Sequence, residues 1–272
     1  MRGAEITEIA ALIDGADTNR AGTVESYVMN AHAHVVGVDA KSALALADLT
    51  IPRSPDAAPP ATLIPRFHYN PAMESLPAIG PSIPPLLLLF PAILMAVSVA
   101  REKEIGTITN FYVTPTSRAE FLIGKQLVYI VITLLNFVIL TALLVTVLGV
   151  PLKGAPLTLV FGALLYAVAA TGYGLLVSMI AKTQVTAVFA AAILSVMPTL
   201  QFSGMITPVS SLEGAAQVVG TFWPTTWYMG VSVGTFTKGL GFSDLSGHLL
   251  RLAAFGPVLT GLAVLALRKQ EK

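Results

Sequence analysis

Three groups of residues in this sequence invite a chemical reading. The first is "LIGKQ" at 122–126, whose Gly-Lys pair looks like the end of a phosphate-binding loop. Such a loop also needs a glycine five residues before that Gly and a Ser or Thr after the lysine. Those positions hold Ala119 and Gln126, so no nucleotide site is expected here. The second is the pair His32 and His34. On a helix, residues two apart face different ways, so the pair is not expected to hold a metal. The third is "REKEIGTITNFYVTPTS" at 101–117, which sets four alternating charges against the end of a twenty-residue stretch with none. Cysteine is absent, which removes disulfides, zinc thiolates and cysteine nucleophiles together. No Ser-His-Asp set or carboxylate pair stands out. The expectation is a chain that is not an enzyme, with no catalytic residue, no metal and no cofactor of its own.

The elements that carry these residues are dictated by composition. The 272 residues are 54% hydrophobic and 11% charged, against about 25% charged in soluble domains. Mean hydropathy is +0.75. A net charge of +1 leaves no nucleic-acid footprint. Crossing a bilayer takes about 20 apolar residues, and five segments qualify: 81–100, 126–149, 156–181, 185–206 and 248–267. Arg251, near the start of the last, can snorkel to the interface. Backbone facing lipid must satisfy its own hydrogen bonds, so all five are expected to be helices. The fold class is therefore mainly α, a polytopic helical membrane protein with five transmembrane helices and a small N-terminal α/β portion.

Loop charge sets the orientation. One side collects Arg101, Lys103, Arg118, Lys125, Lys182, Arg268, Lys269 and Lys272; the other has Lys153, Lys238 and Arg251. This places the 101–117 loop and the C-terminus in the cytoplasm, with residues 1–79 outside, in the inner membrane of a bacterium. Those first 79 residues hold nine acids against five bases. "EIAALIDGAD" reads as a strand ending in a turn, and Val24, Tyr27, Val28 and Ala31 fall at helical spacing. "PRSPDAAPPAT" is a loop and "TLIPRFHYNP" a strand. The opening "MRGAEITEIAALIDGAD" is neither a signal peptide nor a span, so the 1–79 extracytoplasmic α/β domain is expected to be incomplete, with the true start upstream.

The charged loop has its own pattern. Over 101–114, Ile105, Ile108, Phe111 and Tyr112 share one side at spacings of three and four, while Arg101, Lys103, Thr107 and Asn110 face elsewhere. That face suits a membrane interface or a protein groove. Pro115 ends the element. Ser117 and Glu120 then make a capping box that starts the next span. An ordinary positive-inside loop would account for Arg101 and Lys103. It would not account for Glu102, Glu104, the amphipathic pattern or the proline and cap.

At these residues the sequence resembles the permeases of ABC type-2 exporters, including drug-export permeases and the membrane portion of ribosome-associated ATPases. The resemblance rests on Arg101, Glu102, Glu104, Gly106, Thr107, Pro115, Ser117, Glu120, Gly124 and Lys125, with support from "FSGMITPVSSL" and "FWPTTWY" downstream. It covers 75–272 well and 1–79 more weakly. The chain departs from it in lacking a first span, where the family has six, and in lacking the ATPase. The resemblance implies an ABC type-2 transmembrane domain at 80–272, with a coupling helix at 101–115 seated in a nucleotide-binding ATPase subunit or domain. It implies coupling residues Arg101, Glu102, Lys103, Glu104, Gly106, Thr107, Pro115, Ser117 and Glu120, ATP and magnesium on the partner ATPase, and a second permease copy as dimer or pseudo-dimer.

On the other side of the membrane, "MPTLQFSGMITPVSSLEGAAQVVGTFWPTTWY" at 197–228 is broken by Pro198, Gly204 and Pro208. Only a short helix fits between Leu212 and Phe222. Trp223, Trp227 and Tyr228 are expected at an interface. The segment 204–228 reads as a re-entrant hairpin, with Gly204, Pro208, Trp223, Pro224 and Trp227 as outer-gate candidates; an aromatic anchor is the competing role. Pro84 and Pro85 mark the start of the first span, and Pro91 is expected to kink its middle. Thr133, Asn136, Thr141, Tyr166, Thr171, Tyr173, Thr199 and Gln201 are expected to bond between helices. "GALLYAVAATGYG" at 162–174 suits close packing, within the chain or across a dimer. The spans lack the midplane charges of ion-coupled carriers. The reading is an ATP-driven export permease subunit or fragment. An anchoring region of a ribosome-associated ATPase, or an ion-coupled carrier, are the alternatives.

Overall fold

Strand β1 (Thr7–Asp14) and strand β2 (Ala61–His68) pair in parallel, with Thr7 opposite Ala61 and Asp14 opposite His68. A helix, α1, occupies residues 20–32 between them. Parallel partners need a long crossover, and the segment that carries α1 supplies it. After β1 the chain turns at Gly15, whose amide donates to His68 O at 2.9 Å. The computed structural model describes residues 7–16, 20–32, 34, 61–106, 117–207 and 209–267. It divides into two units, 1–78 and 79–272.

From the end of the first unit onward the helices follow in order. α2 (Ser75–Ile79) leads through a 3₁₀ turn (Gly80–Ser82) to α3 (Ile83–Leu87) and α4 (Phe90–Ile105). α5 (Arg118–Ala142) ends in a π-helical turn (Leu143–Val147), followed by α6 (Pro156–Ile180) and α7 (Gln184–Phe202). Two short helices come next, α8 (Gly214–Thr221) and α9 (Pro224–Val233), the second extended by a π-helical turn (Gly234–Lys238). α10 (Ser246–Ala266) is last. Among the described residues, five helical segments are long and apolar enough to cross a membrane: Ser75–Ile105, Ala119–Val147, Pro156–Ile180, Gln184–Phe202 and Ser246–Ala266. The first and third are mostly buried in the bundle; the other three leave most of their apolar side chains exposed around them.

The central pair packs closely. A Cβ at Gly174 on α6 would land on the Ala92 carbonyl oxygen of α4, so only glycine permits this crossing. Gly162 and Gly172 face Val231 and Thr260 in the same way, which assigns the small residues of 162–174 to contacts within the chain. Tyr166 and Tyr228 stack at the centre, 4.6 Å apart and 8° from parallel. Tyr228 is therefore a core residue and not the interface aromatic expected from sequence: α9 is buried along most of its length.

Prolines decide three further details. The first span breaks at Leu88–Leu89, and Pro91 sits in the first turn of α4 instead of kinking a continuous helix. A first-turn proline sacrifices no intrahelical bond and has φ set for the helix. Pro198 does not break α7, which continues to Phe202. A proline removes the amide that the carbonyl four residues earlier would accept. Here that carbonyl belongs to Leu194, and Tyr173 of α6 donates its hydroxyl to it at 2.8 Å. The same repair occurs in the first span. Pro85 leaves Pro81 O without an amide, and Ser232 Oγ donates to it at 2.5 Å. α7 ends where Gly204 adopts φ +89.

Candidate functional site

The α4 terminus revises one expectation. Arg101–Ile105 do not open a separate lateral helix; they complete α4 itself. Gly106 closes it in the left-handed region, φ +79, which a residue without Cβ adopts at no steric cost. Thr107 and Pro115, and the rest of 107–116, lie outside the described residues. Beyond them Ser117 and Glu120 form the expected box: Glu120 N donates to Ser117 Oγ at 3.2 Å, and Ser117 N to Glu120 Oε2 at 2.7 Å.

Three of the four charges reach different helices. Glu102 Oε1 lies 2.6 Å from Lys125 Nζ of α5, which also donates to Ser98 O. Lys103 Nζ donates to Ser178 O at 2.6 Å. Ser178 is in the last turn of α6, where carbonyls lack intrahelical donors and a cation meets the negative end of the helix. Glu104 Oε2 accepts from Gln184 N at 2.9 Å and from Gln184 Nε2 at 3.2 Å. Gln184 is the first residue of α7, where unpaired amides favour an anion. Thr183 Oγ1 takes a second α7 amide, that of Thr186. The consecutive residues Lys103 and Glu104 thus clamp the α6–α7 turn from both sides, each sign against its matching helix end. Arg101 and Ile105 remain exposed.

Just over two turns into α5, Gln126 forms a second junction. It is 3% exposed. Its Nε2 lies 3.0–3.2 Å from Val168 O, Thr171 Oγ1 and Thr260 Oγ1; with Thr260 donating to Oε1 at 3.2 Å, its two hydrogens serve Val168 O and Thr171 Oγ1. This glutamine, which fails the phosphate-loop pattern, ties α5 to α6 and α10.

α7 begins at the clamp and runs 19 residues, or roughly 28 Å, to the far end. There Trp223 Nε1 donates to Thr199 Oγ1 at 2.8 Å, Thr199 to Thr225 at 3.4 Å, and Thr225 meets Tyr166 OH at 2.9 Å. Tyr166 spends its one proton on Pro85 O at 2.9 Å, so Thr225 is the donor to it. The directions agree along the whole chain, from Trp223 just ahead of α9, through α7, α9 and α6, to α3. Pro224 opens α9 in its first turn, and Gly204 turns the chain out of α7. Trp227 lies on the far side of α9 and bonds Thr221 O at 3.0 Å, so it does not join this chain. Pro208 lies outside the described residues. Among the described residues no three His, Asp or Glu side chains could hold a metal ion.

The sequence reading missed Ser178, Gln184, Thr225 and Ser232 as partners, and Gln126 as a junction. For Ser232 and Tyr173 a signal existed. Pro85 and Pro198 each name the carbonyl four residues before, Pro81 O and Leu194 O, as one left without an amide.

The arrangement is mechanical: charges join helix ends at one side, and a polar chain fastens a short buried helix at the other. Residues 4–265 match the family described as ABC-2 family transporter protein. The chain belongs to the ABC-2 transporter family. This ABC-2 chain is 29% identical over 206 residues to the probable multidrug ABC transporter permease YbhS of Escherichia coli (strain K12), covering 75% of this chain and 55% of that one. It is 27% identical over 218 residues to the inner membrane transport permease YhhJ of the same strain, covering 78% and 57%. With YbhR, a probable multidrug ABC transporter permease from that strain, identity is 27% over 151 residues, 55% and 41%. The ABC-2 chain thus spans about half the length of these relatives. No solved structure matches it. As a family member with five apolar helices of spanning length, it is a multi-pass membrane protein of a transport system.

Proposed function

We propose that this chain is the permease part of an ATP-driven exporter of the bacterial inner membrane, with the α4–α5 junction receiving force from a nucleotide-binding ATPase. In this reading ATP and magnesium are held by the ATPase and the chain itself has no nucleotide site. The charged end of the bundle faces the cytoplasm, residues 1–79 lie outside, and a second permease copy completes the path as a dimer or pseudo-dimer. Arg101, Ile105 and the segment after Gly106 form the docking surface.

The observation that supports this most is the Lys103–Glu104 clamp. A push on the α4–α5 segment cannot move α4 alone. Glu102 draws α5 along through Lys125, and the clamp draws the ends of α6 and α7. α7 then carries displacement to Thr199 and the Trp223 fastening at the far end, so that the 204–228 segment serves as the outer gate. The relatives described as multidrug permeases fit an amphipathic cargo, as does the scarcity of charge in the spans.

The test is reconstitution with the partner ATPase in liposomes, comparing the native chain with Lys103→Met/Glu104→Ala. The reading expects ATP-dependent efflux from the native system, and ATP hydrolysis without efflux from the double variant. Efflux driven by an ion gradient without ATP would make the chain a carrier instead. Hydrolysis that no cargo stimulates, with no efflux in any variant, would make it an anchor for the ATPase.

A further inference from the structure

α10 carries an arginine six residues into a membrane-spanning helix, on its exposed side. So near a helix end the charge can reach the interface, where lipid headgroups lie. The Arg251 guanidinium carbon lies 4.0 Å from the centre of the Trp227 ring, which covers one of its faces. Among the described residues it makes no hydrogen bond and no ion pair, so the five N–H donors of its fork are unspent on an exposed side chain. The ring beneath it is fixed in place. Trp227 Nε1 donates to Thr221 O, and its edge meets the His248 imidazole at 5.5 Å and 67°. His248 in turn fits only because position 230 is glycine: a Cβ there would lie 2.5 Å from the imidazole. The imidazole nitrogens likewise have no hydrogen-bond partner among the described residues. The acids of this region are placed elsewhere: Asp244 accepts from Gly241 N, and Glu213 precedes α8.

What lies along the helix below Arg251 identifies the ligand. Ala254, Val258, Leu262 and Leu265 follow it at spacings of three and four and are all exposed. They form one apolar stripe running from the guanidinium toward the other end of the helix. Val258 and Leu262 lie roughly 10 and 16 Å along it, about the depth of one leaflet. A cationic fork above an apolar stripe of leaflet depth matches a phosphodiester above acyl chains. A soluble anion would use the fork and leave the stripe bare.

We propose that Arg251, His248 and Trp227 form a headgroup site for a phospholipid, with the guanidinium edge taking the phosphodiester and the stripe below it an acyl chain. Because the cluster has no carboxylate to receive an ammonium, it prefers headgroups without one, such as phosphatidylglycerol. In the orientation proposed above this is the outer leaflet; the site itself requires only that α10 spans a bilayer. A lipid held there leans on Trp227, the first-turn aromatic of α9, and so makes the far-end segment sensitive to membrane composition.

The chain has two tryptophans, so Trp223→Phe leaves Trp227 as the single reporter. The full chain is reconstituted in dioleoylphosphatidylcholine vesicles, and quenching of Trp227 is read as phosphatidylglycerol or phosphatidylcholine with brominated acyl chains replaces the matrix lipid. The expected result is a preference of about fivefold for brominated phosphatidylglycerol, the size of one cation's attraction to an anionic lipid. Arg251→Gln abolishes it and Arg251→Lys, which keeps the charge and the fold but not the fork, retains part. Equal quenching by the two lipids, or the same preference in both Arg251 variants, overturns the site. Loss of the preference on adding millimolar inorganic phosphate would make it a site for free anions and also overturn it. No ATPase or cargo enters the assay, so failure here leaves the permease reading untouched, and failure of that reading leaves this result standing.

Discussion

The hydroxyl of Tyr173 lies 2.8 Å from the carbonyl oxygen of Leu194, the acceptor that Pro198 leaves without an amide. A helix carbonyl within a bilayer has no water to turn to, so the Tyr173 hydroxyl takes the place of the amide that Pro198 removes. Tyr173→Phe is expected to lower stability by about 1 kcal/mol, within the range of interhelical bonds in membranes. In a Pro198→Ala background the restored amide serves Leu194 O, and the same substitution is expected to cost nothing measurable. Unfolding of the four proteins in a denaturing detergent titration gives the cycle. Equal costs in the two backgrounds would show that the tyrosine acts through packing alone.

The Lys103–Glu104 clamp predicts local effects at two helix ends. Glu104→Ala removes the acceptor for Gln184 N, and hydrogen exchange at the first α7 amides should quicken ~2–5-fold. Glu104→Gln keeps an oxygen there but not the charge, and should fall between the native and the Ala rates. Lys103→Met leaves those amides alone and instead frees Ser178 O at the α6 terminus. Exchange resolved by peptide over 176–190 reads both ends. A native exchange profile in the Ala variant would remove Glu104 from the clamp.

How much of this was legible in the sequence follows from the physics of each feature. Long apolar runs specify spans because the bilayer leaves helices no alternative, so all five were placed, the last three within four residues of their observed ends and the first two starting six and seven residues late. The Ser117–Glu120 box was legible because both halves are local. Where an element ends by a backbone choice, as at Gly106, periodicity misled: apolar spacing continues past Ile105 while the glycine closes the helix. α9 was read as an interface because its aromatics look interfacial, and nothing in its own residues says that Tyr166 will stack on Tyr228. The clamp pairs residues 75 and 80 positions apart. Such pairs depend on how helices are arranged, which a single sequence leaves open.

Gln126 holds three helices by one amide group, so its loss should be felt at each. Gln126→Leu preserves volume and apolar surface, yet leaves the Thr260 hydroxyl without its acceptor. A loss of about 1–2 kcal/mol is expected. Thr260→Val alone should cost less, because Gln126 keeps Val168 O and Thr171. Once Gln126 is leucine, adding Thr260→Val should cost little more. Thermal unfolding in detergent of the two single variants and the double tests this, and strict additivity would refute the shared junction.

The absence of cysteine makes orientation directly measurable. Ser243 is exposed between α9 and α10 at the far end, and Lys182 is exposed in the α6–α7 turn at the charged end. In intact cells a membrane-impermeant maleimide is expected to label Ser243→Cys and not Lys182→Cys, and to reach Lys182→Cys once the membrane is opened. The reverse pattern would place the charged end outside and separate it from any cytoplasmic ATPase.

Thr225 is the middle of the far-end chain, taking a bond from Thr199 and giving one to Tyr166. Thr225→Val keeps its shape and deletes both. Tyr166 keeps Pro85 O, so the damage should travel the other way, toward Thr199 and the Trp223 indole that bonds it. Two consequences follow. Stability should fall by about 1 kcal/mol, and Thr199→Val added to Thr225→Val should cost less than the two separately. A cysteine at exposed Phe222, beside the loosened indole, should also react faster with the maleimide in the Thr225→Val background. A cysteine at Ser243 serves as the control, since it lies off the chain and its rate should not change. Faster labelling at both sites would mean general loosening of the fold; at neither, that Trp223 is held by its ring contact with Tyr173 and not by the hydrogen-bond chain.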